Sequence, residues 1–302
     1  MRDSESIRRT LLGDQPWSIL GQSFGGFCAV TYLSLAPEGL REALVTGGLP
    51  PLAGGPDVVY RATYRRVIEK NRAWYGRYPE DAERVRAIVG HLAAHDVRLP
   101  DGETLTPRRF RQRGIALGMS DGFERLHYLV ESAFVDGEMD DRFVRANYGE
   151  ESFETNPIYA VLHEAAYCQG EASRWAAERI LAEFPEFDPE ADPPLMTGEM
   201  VYPWMFDEYR HLRPLKEAAE ILAADEAWPP LYDVDALARN EVPCAAAVYY
   251  EDMYVARELS ADTARAIRGL RSWVTNEYEH DGLRKSGEQV LGRLLELVRG
   301  EA

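Results

Sequence analysis

The sequence predicts an α/β fold built on a parallel sheet, and three observations carry that prediction. A short apolar run at residues 16–21 is followed, after a glycine-bearing turn, by the nearly all apolar or small stretch 24–36 and then by a second short run at 42–46. Strand, tight turn, buried helix and strand in that order form a βαβ unit, whose strands run parallel. The alternation returns near the C-terminus, at residues 244–249, 260–270 and 272–275. Between the two pieces, from about Pro51 to Pro230, helical patterns dominate.

Each element has a local reason. Residues 4–12 have helical character and stop at Gly13. The run PWSILG is bounded by Pro16 and Gly21 and reads as a buried strand. The stretch 24–36 ends at Pro37 and Gly39, residue types that follow helix ends. EALVT at 42–46 runs into Gly47 and Gly48, giving a strand and a loop. In the insert, helices are predicted over 60–75, 81–94, 123–134, 159–168, 174–183 and 215–224, separated by loops rich in proline and acid such as FPEFDPEADPP. CAAAVY at 244–249 follows Pro243 and reads as a strand; 260–270 is helical; SWVT at 272–275 is β-prone. Ser286 and Gln289 have the spacing of a capping box, and Val290, Leu291, Leu294, Leu295 and Val298 form one apolar helical face. The expected organisation is a discontinuous α/β core, residues 1–50 and 231–302, around one sheet, with a helical cap inserted as residues 51–230.

Composition narrows the function. The 302 residues suit one large domain or two small ones, and 45% hydrophobic with 28% charged residues is globular composition, neither disordered nor low in complexity. Lys+Arg is 34 against 51 Asp+Glu, a net charge of −17, which disfavours nucleic acid and anionic membrane as partners. Cys28, Cys168 and Cys244 are odd in number and far apart, so they form no disulfide framework and no CxxC metal spacing; a reducing cytoplasm is the expected location. The first twenty residues carry charges and no long apolar run, unlike a secretory signal, and nothing approaches the ~20 apolar residues of a membrane span.

The sharpest motif is Gly21-Gln22-Ser23-Phe24-Gly25, a G-x-S-x-G between a predicted strand and a predicted buried helix. That context is the one a nucleophile elbow requires: the serine occupies a strained turn, and the flanking glycines let strand and helix approach. The helix N-terminus beneath the serine favours developing negative charge. The plain alternative is a bystander serine in a glycine-rich turn. A nucleophilic serine needs a base and an acid that orients it, following in the order serine, acid, histidine. His91, His95, His127, His163 and His211 lie in the helical insert and read as surface or packing histidines. His280, in NEYEHDG after the last strand, lies where a sheet-end loop would present a base. Glu251 and Asp252 directly follow the strand CAAAVY; alternation lets only one of them face His280, with Asp252 favoured and Glu251 the runner-up. Asp281 is too close in sequence to His280.

WSILGQSFGG, NPIYAVLHE, TGEMVYPWMF, NEVPCAAAVYYEDMYV and RSWVTNEYEHDGLR together resemble the proline iminopeptidases of the larger bacterial type, serine peptidases of the α/β-hydrolase fold, and the resemblance covers essentially the whole chain. It implies release of an N-terminal proline from peptides, with Ser23 as nucleophile, Asp252 as orienting acid and His280 as base. Phe24, the residue after the nucleophile, would give a backbone N–H to the oxyanion hole. No metal and no organic cofactor is implied. The resemblance also implies a helical cap with acidic residues for the substrate's amino end; Glu164 in HEAAY and Glu199 in TGEM are the candidates, and Tyr159, Tyr202 and Trp204 could wall a pocket for the pyrrolidine ring. The chain departs from the family pattern at its start. The family's nucleophile follows the fifth strand, so a partial α/β-hydrolase fold lacking its first strands is expected. Also missing is the His/Gln-Gly-Gly-Pro-Gly segment that gives the second oxyanion donor. MRDSESIRR resembles the interior of a family helix, so Met1 reads as a misplaced start, with genuine truncation as the alternative. Two other functions stay open: an esterase or amidase of the same fold, and a non-catalytic peptide-binding remnant.

Overall fold

The computed structural model describes residues 1–151 and 153–301. In chain order the elements begin with α1 (Arg2–Leu12), β1 (Trp17–Gln22), α2 (Phe24–Leu35) and β2 (Leu40–Thr46). Then come α3 (Gly55–Arg77), α4 (Glu80–Ala94), α5 (Pro107–Arg111), α6 (Gly122–Glu131), the short strands β3 (Phe134–Val135) and β4 (Glu138–Met139), α7 (Asp141–Glu151), α8 (Pro157–Leu162), α9 (Ala176–Leu181), α10 (Met205–Glu208) and α11 (Lys216–Ala224). The chain ends with α12 (Val234–Ala238), β5 (Cys244–Tyr249), α13 (Arg257–Ala266), β6 (Leu270–Thr275), α14 (Gly282–Lys285) and α15 (Gly287–Arg299). It divides into two compact units, Met1–Gly54 with Pro229–Ala302, and Gly55–Trp228.

The first unit is a four-stranded sheet in the order β1-β2-β5-β6, parallel throughout. β2 pairs with β5 in the register Ala43 to Cys244, so the two α/β pieces of the sequence share one sheet. Side-chain alternation divides the core into two layers. Ala43, Val45, Cys244, Ala246 and Val248 pack with Ala29, Val30 and Leu33 of α2. Leu44, Ala245, Ala247 and Tyr249 pack with Val290 and Leu294 of α15. Every residue of β5 is buried, which is why its sequence is a continuous apolar run. Helix α1 is fastened at its side. Arg8 is buried, bonds the Glu5 carboxylate at 2.8 Å and reaches the carbonyls of Gly13 and Gln15. Glu5 also accepts the Tyr32 hydroxyl, and these bonds hold its carboxyl down at about 2.

The second unit is helical apart from the β3–β4 pair. Its core is aromatic: Trp74, Tyr60, Tyr64, Phe110, Phe143 and Phe206 are almost fully buried. Three expected helices are shorter than their sequence patterns. The 159–168 pattern breaks after Leu162 into a separate 3₁₀ turn over Glu164–Tyr167. Arg174 and Trp175 have φ of 49° and 56°, so α9 starts only at Ala176. Phe134 leaves α6 for β3. Near the C-terminus, the 260–270 helix ends at Ala266, where Ile267 turns extended, and Leu270 belongs to β6. The capping box is corrected too. Ser286 precedes α15 but makes no side-chain capping bond, and Gln289 instead accepts the Tyr278 hydroxyl at 2.9 Å. Among the described residues no helix is long and apolar enough to cross a membrane.

The two motif glycines are unequal. A Cβ on Gly21 would stand 2.2 Å from the Gly25 carbonyl oxygen, whereas a Cβ on Gly25 meets nothing within 4 Å. Gly26, outside the motif, is the second tight contact: its Cβ would lie 2.3 Å from the Gly48 carbonyl oxygen. Gly21→Ala is therefore expected to lose about 1–3 kcal/mol, the range for overpacking against rigid atoms. Gly25→Ala, inside a helix and in open space, should stay within about 1 kcal/mol of the parent or exceed it. Denaturant unfolding of the two variants checks this; equal losses would refute the packing account.

Candidate active site

Ser23 is the hinge between β1 and α2. Its φ of 54° and ψ of −124° put it in a region that L-residues avoid, a strain of about 1–3 kcal/mol. Its N–H donates to the Thr46 carbonyl at 3.0 Å, which fixes the turn to the end of β2. Phe24 opens α2, so its N–H has no partner within the helix, and its ring is 61% exposed. The turn here presents the Ser23 hydroxyl and the Phe24 N–H at a helix N-terminus, a site that favours negative charge.

Asp252 and His280 come from the ends of β5 and β6. Asp252 is 2% exposed and His280 6%. The Asp252 Oδ1 accepts the backbone N–H groups of Tyr254 and Val255, both at 2.9 Å, and Oδ2 faces His280 Nδ1 at 2.8 Å. Two N–H donors and a ring nitrogen hold the carboxylate in one orientation. It in turn fixes the proton of His280 on Nδ1 and leaves Nε2 as the basic nitrogen. The Tyr254 ring lies 4.6 Å from the imidazole, and Gln22 Nε2 donates to the His280 carbonyl at 3.4 Å. Glu251, the runner-up acid, is exposed.

Two consecutive glycines after β2 bring these groups to one place. A Cβ on Gly47 would lie 3.1 Å from both Asp252 Oδ2 and His280 Nδ1. A Cβ on Gly48 would lie 2.4 Å from the Ser23 carbonyl oxygen and 3.0 Å from its nitrogen. One dipeptide therefore touches the histidine–acid pair with one residue and the serine with the next. The sequence predicts Gly47-Gly48 as a loop, which it is; the signal of its part in the site is a glycine pair closing a buried strand. Gly47 also has φ 49°, which itself favours glycine.

In the helical unit the expected residues separate. The Glu164 carboxylate is buried and accepts the N–H groups of Ala176 and Ala177 at 3.1 and 2.8 Å, so it caps the start of α9. Glu199 is half-buried and accepts the Tyr159 hydroxyl at 2.8 Å. Tyr202 is buried, shares a 2.9 Å hydrogen bond with Tyr64, and stacks on Trp204 at 5.7 Å. Tyr202 and Trp204 line a pocket of about 210 Å³ that neither glutamate reaches. Of the histidines in this unit, His127 also meets an acid, Asp81, at 3.0 Å. Arg84 shares that carboxylate at 2.7 Å and Tyr78 stacks on the ring, so the contact ties α4 to α6. Burial pushes the Cys168 and Cys244 thiols up to about 12, far from a reactive thiolate. Among the described residues no group of three or more His, Cys, Asp or Glu could hold a metal ion.

The chain is 50% identical over 300 residues to the proline iminopeptidase of Aeromonas sobria, covering 99% of this chain and 71% of that protein. It is 36% identical over 308 residues to the proline iminopeptidase aneH of Aspergillus aculeatus, covering 98% and 68%. Among solved structures, the proline iminopeptidase of Mycobacterium smegmatis superposes with a TM-score of 0.40 at 12% identity, over 99% of this chain and 72% of that one. No family model matches. With half its residues shared over nearly all of its length, the chain belongs to the proline iminopeptidase family and carries that family's α/β-hydrolase fold.

Proposed function

We propose that the protein is a serine aminopeptidase that releases an N-terminal proline from peptides through a prolyl-enzyme intermediate. The observation that carries this is the buried Asp252–His280 pair at 2.8 Å, joined through Gly47-Gly48 to a serine held at positive φ. His280 Nε2 takes the Ser23 proton as Oγ attacks the carbonyl carbon of the proline. Asp252 keeps the imidazole in its tautomer and stabilises the imidazolium. The Phe24 N–H donates to the oxygen that becomes negative. His280 then protonates the departing amine, breaking the C–N bond. A water, deprotonated by the same nitrogen, cleaves the ester to give free proline and restore Ser23.

The substrate's cationic end is assigned to acidic side chains of the helical unit. Glu199 is half-buried and, among the described residues, bonded only by Tyr159, so it retains lone pairs for a charged N–H. Glu164 is the second acidic group, with one backbone bond already on each oxygen. Tyr202 and Trp204 line a separate pocket that neither glutamate reaches, so they are given no part in holding the ring that carries this nitrogen. Three free cysteines, two of them buried, fit a reducing cytoplasm, which we propose as the location.

Hydrolysis of prolyl-arylamide tests the reading. The parent is expected to cleave it in preference to alanyl-arylamide and simple esters, and Ser23→Ala to lose on the order of 10⁴-fold or more. A fluorophosphonate should label Ser23 in the parent alone. Equal rates on prolyl and alanyl substrates would favour a general amidase; a folded chain that is neither labelled nor active would favour a peptide-binding protein.

The two glutamates should separate in stability. Glu164→Ala strips two buried N–H groups of their acceptor and is expected to cost about 1–3 kcal/mol. Glu199→Gln should leave the melting temperature nearly unchanged and raise KM. Thermal melts beside KM values decide; a Glu199→Gln enzyme with unaltered KM would remove that residue from the amine site.

A further inference from the structure

The pocket of about 210 Å³ in the helical unit carries a charge that a peptide's prolyl residue does not match. Arg108, Arg111, Glu178, Phe187, Tyr202 and Trp204 are among the residues around it. Arg108 lies over the Trp204 ring at 4.5 Å and is paired with Glu208 at 2.7 Å, so its charge is answered. Arg111 is different. It is 8% exposed, its Nε donates to the Leu195 carbonyl at 2.7 Å, and its Nη2 donates to the Phe187 carbonyl at 2.9 Å. Its Nη1 has no acceptor, and no carboxylate pairs with it among the described residues. A buried guanidinium bonded only to neutral carbonyls is costly; the Asp188 charge acts on it without a bond, and the open Nη1 edge is shaped for an oxyanion.

The other walls narrow the anion. Tyr202 and Trp204 stack on each other beside the apolar Phe187, which suits a compact apolar body. Glu178 stands at the exposed edge with no hydrogen bond among the described residues. Its charge opposes a phosphate dianion and suits a cationic nitrogen. Carboxylate, apolar ring and protonated amine in one small molecule describe a free α-amino acid. The prolyl residue of a substrate lacks the carboxylate, because its carbonyl is still bonded to the next residue. Only hydrolysis creates it.

We propose that this pocket binds the released amino acid: its carboxylate on Arg111 Nη1, its ring against Tyr202 and Trp204, and its protonated nitrogen toward Glu178. The choice of proline rests on the function proposed above; the carboxylate seat does not. Bound there, free proline would fill the aromatic pocket.

Calorimetric titration of Ser23→Ala protein, which cannot turn over amides, with L-proline and L-prolinamide tests this. L-proline is expected to bind about tenfold more tightly than prolinamide, as for loss of one charge-assisted contact. Glu178→Gln, an exposed substitution, should weaken L-proline several-fold, and Arg111→Gln by about tenfold or more. If Arg111→Gln does not fold, the ligand pair and Glu178→Gln still decide. Equal affinity for proline and prolinamide, proline binding indifferent to Glu178→Gln, or no saturable binding below about 50 mM would each overturn the proposal. Proline binding without prolyl-arylamide hydrolysis by the parent would spare the pocket and sink the peptidase reading; hydrolysis without proline binding would do the reverse.

Discussion

The first unit depends on how closely three pieces of backbone approach one another. The end of β1, the first turn of α2 and the loop after β2 meet at Gly21, Gly26 and Gly48, where added Cβ atoms would fall between 2.2 and 2.4 Å from carbonyl oxygens. At such separations only glycine fits, and the turn between strand and helix has to be made in a single residue. That residue is Ser23, at φ 54°. A strained serine persists only where its surroundings over-determine it. The bond from its N–H to Thr46 and the packing of Gly48 against its backbone supply that constraint.

Charge is handled in the same economical way. Asp252 is buried, where a carboxylate without hydrogen-bond partners is costly. It has two backbone N–H groups and an imidazole, so each oxygen is directed. In the helical unit Glu164 is answered by the opening N–H groups of α9, and Arg109 by the Tyr209 ring and two backbone carbonyls. Arg111 differs in that its Nη1 edge faces a pocket, while two carbonyls hold the rest of the group and no carboxylate among the described residues bonds it.

Much of the α/β unit was legible because its signals are local. PWSILG and CAAAVY each carry strand length and a Pro or Gly boundary within a few residues, and the helix after Ser23 is apolar on every face. His280 and Asp252 could be placed because strand ends present loops on one side of a parallel sheet. What escaped depends on distant partners. Ser286 and Gln289 have capping-box spacing, yet Tyr278 holds Gln289 and no local rule could show it. Arg174 and Trp175 continue a helical pattern in sequence, but their positive φ values belong to the segment whose next two N–H groups turn toward Glu164. Gly47 and Gly48 form the loop that the sequence predicts, but their part in the site left no local mark, because their neighbours Asp252, His280 and Ser23 lie elsewhere in the chain. Arg111 gave no signal at all: one arginine among PRRFRQR is distinguished only by what fails to face it.

The order of assembly follows from the register of β2 on β5. Ala43 pairs with Cys244 across the entire helical insert, so the central pairing of the sheet is the least local of its strand pairings. The entropy of closing such a loop grows only with the logarithm of its length, and an insert that is itself compact restrains its own ends. A long insertion is therefore tolerated at this point of the sheet. Its consequence is for the site. Gly47 leaves β2, and its N–H bonds the Ala247 carbonyl of β5. Asp252 and His280 follow β5 and β6, and both press on Gly47. The serine turn is specified by local sequence and the Asp252–His280 pair by the neighbouring strands β5 and β6, but the two come together only through the pairing of β2 with β5. The nucleophile and its base are thus brought together by the same non-local pairing that closes the core.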